Sequence, residues 1–99
     1  MSILRCRQRQ RAQCTRVSAL NPATLGATGR CLSLAPYGIP FWLPDGYLHG
    51  ATRGLSWVFE LDRPMAASLG DGIDIKGQRV TRYVLMPDAA LEPIEEPPQ

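Results

Sequence analysis

Apolar and polar positions alternate most cleanly between Leu55 and Leu61. Leu55, Trp57, Phe59 and Leu61 share one face, and Ser56, Val58 and Glu60 share the other. A side-chain period of two marks a half-buried strand, so this stretch is expected to be the central strand of a sheet. Arg79 to Met86, rich in β-branched and aromatic residues, predicts the return strand, with Lys76-Gly77 as a two-residue hairpin turn. Arg30 to Ala35 predicts a shorter strand that carries Leu32 and Leu34 on one face.

Two short helices are expected between these strands. Asp62 is placed to cap one that has Pro64 in its first turn, runs from Met65 to Leu69 and ends at Gly70. Asn21-Pro22, as cap and first helical residue, predicts a single turn over residues 22–25 that Gly26 stops.

Residues 3–17 allow two readings. As a strand, Arg5, Arg7, Arg9 and Arg11 line one face and Leu4, Cys6, Gln8, Gln10 and Ala12 the other. As a helix, Ile3, Cys6, Gln10, Cys14 and Val17 form a thin apolar stripe inside a sheath of arginines. The strand has the cleaner period, and arginines on an edge strand would discourage edge-to-edge pairing.

From Pro36 to Gly50 three prolines alternate with three glycines, which rules out a long regular element. Tyr37, Phe41, Trp42 and Tyr47 fall in this stretch, four of the seven aromatic residues. It is expected to form an aromatic loop or a pair of short strands, with Pro44-Asp45-Gly46 as a tight turn. After Pro87 the chain carries prolines among four acids and predicts a flexible tail.

The fold expected is α+β and mainly antiparallel β: a small single domain with one or two short helices. Residues 1–16 form a basic arm or edge strand, 17–86 a compact domain, and 87–99 an acidic, proline-containing tail. Ninety-nine residues suffice for one modest core, and a composition 44% hydrophobic and 20% charged is that of an ordinary soluble globular protein. No run approaches eighteen apolar residues, so no membrane span is expected. The N-terminus has the charge of a signal peptide without its apolar stretch, so a cytoplasmic location is expected.

Charge changes the picture more than composition does. The first thirty residues hold six arginines and no acid, and the last thirteen hold Asp88, Glu92, Glu95 and Glu96 and no base. The net charge of +2 therefore conceals a dipolar chain. Arginine outnumbers lysine ten to one.

Catalytic signatures are missing from the pattern. Cys6, Cys14 and Cys31 form no CxxC pair, and with His49 as the one histidine a zinc site of ordinary spacing cannot be assembled. A Cys-His dyad through His49 has no local signature to support it. Glu60 and Asp62 share a face, but one expected to be solvated. Asp71-Gly-Ile-Asp-Ile lacks the later ligands of a calcium loop. No enzyme, cofactor or metal is expected.

Two segments have the chemistry of binding. Arg5, Arg7, Arg9, Arg11 and Arg16, interleaved with glutamines, suit phosphates and base edges or an acidic protein face. Their alternatives are a solvated edge strand and pairing with the chain's own acidic tail. Tyr37, Phe41, Trp42 and Tyr47 offer large contact area at small entropic cost, as protein-binding hot spots do. Within that group Trp42 is expected to fill the core, and Tyr37 and Tyr47 to be exposed. The function expected is that of a small non-enzymatic adaptor or inhibitor with an acidic protein partner, of the kind borne by mobile elements to block a nucleic-acid-handling protein. The alternative is direct RNA or DNA binding through the arginine-rich segment.

Overall fold

The computed structural model describes residues 4–16, 24–52, 54–68 and 78–95. Five strands form one antiparallel sheet: β1 (Arg11–Cys14), β2 (Thr28–Leu34), β5 (Ser56–Ser68), β6 (Gln78–Pro87) and β7 (Leu91–Pro93). Their order across the sheet is β6-β5-β2-β1-β7. A two-stranded ribbon of β3 (Phe41–Trp42) and β4 (Leu48–His49) is separate from it.

The sheet is curled. β6 and β7 are its two edges, yet only Asp88–Ala90, a single 3-10 turn, joins them. Four Cα steps reach roughly 14 Å. A flat sheet would hold its edges about 19 Å apart across four strand spacings. The sheet must therefore curl enough to bring the end of β6 and the start of β7 within that reach.

The concave side of that roll is the main core. Alternate residues face it: Ala12 and Cys14 from β1, Cys31 from β2, Trp57, Phe59 and Leu61 from β5, Val84 and Met86 from β6, and Leu91 from β7. Phe59, Leu61, Met86 and Leu91 are fully buried. Gly29 permits the close contact of β2 with β5, because a Cβ there would collide with the Glu60 carbonyl oxygen and lie 2.6 Å from the Phe59 ring. The convex side carries Val58 and Leu85, covered by Phe41 and Leu43 of the ribbon.

The strand expected over 55–61 is present and longer than expected. The helix expected over Met65–Leu69 is not formed, since β5 continues to Ser68. Pro64 does not end the strand because it lies where the register with β6 shifts, between Glu60 and Met65. A residue without an N–H loses no ladder bond at such a bulge. Asp62 consequently caps nothing. Among the described residues the only helical segments are 3-10 turns, and the domain is mainly antiparallel β. The helical turn expected at 22–25 is described only at residues 24 and 25, and the Lys76-Gly77 turn and the Asp71–Ile75 segment fall wholly outside the described residues. No helix among the described residues is long and apolar enough to cross a membrane.

Both ends of the chain differ from expectation. β1 spans only four residues and is no edge, for β7 pairs along its outer side at Cys14↔Leu91, Gln13↔Glu92 and Ala12↔Pro93. The flexible tail therefore does not begin at residue 87: residues 88–95 are part of the domain. Asp88 explains the docking. Its buried carboxylate accepts hydrogen bonds from the Trp57 Nε1 (2.9 Å), the Cys6 amide (3.1 Å) and the Arg5 amide (2.7 Å). One side chain thus ties the N-terminal segment, β5 and the C-terminal turn together.

Candidate interaction surface and arginine groove

The arginines expected to act as one basic arm are divided by the fold. The Arg5 guanidinium donates to the Leu91 carbonyl and to Glu92 at 2.7 Å. Arg11 donates two bonds to Asp62, both 2.7 Å. The Thr28 hydroxyl donates to the same carboxylate. These donors, Arg11 first, hold the Asp62 carboxyl well below the usual carboxylate range. Asp62 belongs to the bulge that Pro64 shares, and its presentation toward β1 could not be read from a helix cap. Arg16 is exposed beyond the far end of β1.

Arg7 and Arg9 are arranged differently. Residues 7–10 form a tight turn in which the Gln10 amide donates to the Arg7 carbonyl at 3.0 Å. Arg9 is its third residue, with φ +68°. That is the place of a glycine or asparagine in a type II turn, and a long side chain there costs about 1–2 kcal/mol. The turn is held in place nonetheless. The Arg9 amide donates to the Cys31 carbonyl, Arg30 donates to the Arg9 carbonyl, and the Gln10 amide side chain reaches the Ile94 carbonyl at 3.4 Å. Arg7 donates to the Gln10 side chain at 3.2 Å.

These contacts frame a groove of about 510 Å3, lined by the 7–10 turn, Arg11, Arg30, Ile94 and Glu95. Arg11 and Arg30 stand directly opposite each other on β1 and β2. Like charges so placed repel, and Asp62 relieves one of them. Among the described residues the groove keeps a positive balance: four guanidiniums line it with one carboxylate, Glu95, and Asp62 holds Arg11 from outside.

The aromatic segment forms a second surface. In the ribbon, Phe41 pairs with His49 and Trp42 with Leu48. The Phe41 and His49 rings stack with centroids 5.3 Å apart. Phe41 and Leu43 are buried against Val58 and Leu85, and Tyr47 is partly buried beside them. The turn between the strands is fixed by the Gly46 amide, which donates to the Leu43 carbonyl, and by Asp45, which accepts from the Thr81 hydroxyl at 2.7 Å. Gly46 has φ +87°, a conformation that favours glycine.

The outer face of this anchored ribbon is apolar. Trp42 is 69% exposed and Leu48 49%; in the preceding loop Tyr37 is 71% and Ile39 57% exposed. Trp42 therefore does not fill the core, and Tyr47 is less exposed than expected. Period-two alternation over Phe41, Trp42 and Leu43 is the signal that would have placed Trp42 outward. Ile39 and Leu48 were missed altogether.

Titratable groups elsewhere are occupied structurally. His49 Nδ1 lies 2.8 Å from the Gly50 carbonyl on the convex side, whereas the three cysteines belong to the concave core. The sheet separates the partners of a Cys-His dyad. Burial pushes the Cys6 and Cys31 thiols up, away from the reactive thiolate. Glu60 accepts from the Tyr83 hydroxyl and raises that phenol. Among the described residues no group of three His, Cys, Asp or Glu side chains is placed to hold a metal. Comparison with family models, with curated proteins and with solved structures gave no match.

Proposed function

We propose that the chain is a small non-enzymatic interaction protein, an adaptor or inhibitor that docks on another protein through the outer face of the ribbon. The observation that carries this is the contrast between adjacent residues: Phe41 is 9% exposed and Trp42 69%. The ribbon is held by its inner face, so its outer face is rigid and presents apolar area without ordering cost. Tryptophan and tyrosine in such positions supply much of the energy of protein interfaces. A contiguous exposed apolar face also carries an aggregation hazard that an occupant removes.

The acidic character expected of the partner rests on exposed Arg16, because Arg5 and Arg11 are engaged within the chain and Arg7 and Arg9 line the groove. A nucleic-acid-handling protein, whose regulator would cover its working surface, remains the class of partner proposed.

The test is site-specific photo-crosslinking in the native cell. A benzophenone amino acid at position 42 is expected to give one dominant adduct with a second protein, and the same probe at exposed Arg63 none. Identical adducts from both positions, or none from position 42, would contradict the reading. An adduct between two copies of this chain would reassign the face to self-association.

A further inference from the structure

We infer that the groove beside β1 is a binding site for phosphodiester groups and takes a short stretch of single-stranded nucleic-acid backbone. Three observations converge on it. The first is shape: about 510 Å3 is the size of a ligand cleft. The second is charge, with Arg7, Arg9, Arg11 and Arg30 on its walls against Glu95. The third is conformation. Arg9 occupies a left-handed position that favours glycine or asparagine, and among the described residues its guanidinium has no hydrogen-bond or ion-pair partner. Backbone strain that keeps a costly side chain at the mouth of a cleft points to a use for that side chain.

The donors favour phosphate over carboxylate. Arg7 and Arg9 line the groove from the 7–10 turn and Arg30 lines it from β2, so their charges surround it from different elements even though Arg30 also donates to the Arg9 carbonyl and Arg7 to Gln10. A tetrahedral phosphate with several acceptor oxygens uses such an arrangement more fully than a planar carboxylate. Among the described residues no aromatic side chain lines the groove, so base stacking is not expected to contribute and sequence preference is expected to be slight. The assignment narrows the arginine-rich segment to Arg7 and Arg9, joined by Arg30 from β2, and leaves Arg5 and Arg16 out.

The experiment is fluorescence anisotropy of the full chain with labelled mixed-sequence 12-mers of single-stranded RNA and DNA, and with poly-glutamate of similar length, from 50 to 300 mM salt. Binding of the oligonucleotides is expected to weaken with salt with a slope of about −2, as for three phosphates on a single strand. Arg7→Ala combined with Arg9→Asn is expected to weaken binding at least tenfold at low salt. Asparagine tolerates the left-handed conformation, so this variant should melt no lower than the parent. Glu95→Gln should tighten binding. Arg16→Ala and Trp42→Ser should leave it unchanged, because neither residue lines the groove. Unaltered binding by the Arg7 and Arg9 variant overturns the proposal. So does poly-glutamate binding as tightly as the oligonucleotides, which would mark a site for acidic protein, or no oligonucleotide binding at 50 mM salt.

Discussion

Asp62 shows how much one exposed carboxylate can organise. It neutralises Arg11, accepts from Thr28 and eases the repulsion between Arg11 and Arg30 across the strands. Its folded pKa lies below the unfolded value of about 3.9. The resulting stability is fully present above that value and is lost as pH falls through the depressed folded one. Because the side chain is 41% exposed, solvent screening limits the contribution to about 1 kcal/mol or less. Urea denaturation of Asp62→Asn should show that deficit at pH 7 and a shrinking one below about pH 4. A deficit independent of pH would mean that shape, not charge, is what Asp62 supplies. Arg9 makes the complementary point, since its strained backbone has no counterpart among the core residues and is spent at the groove.

At the scale of elements, the strands with strong alternation were legible in the sequence and the short ones were not. Leu55–Leu61 announces β5 through its alternation and Arg79–Met86 announces β6 through its β-branched and aromatic residues, although Val58 and Leu85 on the second face are buried as well. Pro64 misled, because proline normally ends a strand and only the bulge, a property of the pairing, makes it harmless. β7 was hidden by its acids and prolines. Its pairing with β1 depends on Asp88, whose partners lie 31 to 83 residues away in the chain. No local pattern records such contacts. The ribbon's outer face was half legible, since the turn at Pro44-Asp45-Gly46 was foreseen and the outward direction of Trp42 was not. The groove was legible only as arginine content, because its shape comes from a turn, two strands and the segment after β7. Asp88→Ala would leave the buried Trp57 and Cys6 donors and the part-buried Arg5 amide without their acceptor, and should cost about 3–5 kcal/mol. Removal of residues 88–99 should destabilise the domain by at least as much and lower its melting temperature accordingly. A truncated chain that melts within a few degrees of the parent would contradict the docked C-terminus.

Taken whole, the molecule is a curled sheet whose concave side is closed by core and whose convex side is left for contact. The apolar ribbon covers the β5–β6 half of that side. Arg11 and Arg30 occupy the β1–β2 half, with Arg30 and Leu32 two residues apart on one strand. The face proposed for docking and the groove proposed for phosphodiesters thus share the convex side, an arrangement that would suit a regulator meeting a protein and its nucleic acid together. The central claim is that Trp42 and Leu48 serve association and not folding. The most direct measurement compares the parent with a Trp42→Ser and Leu48→Ser double variant, by thermal melting and by the molar mass of the tagged species purified from the native cell. The account predicts equal melting temperatures, a complex for the parent and a bare chain for the variant. A variant that keeps the complex, or one that melts far below the parent, would contradict it.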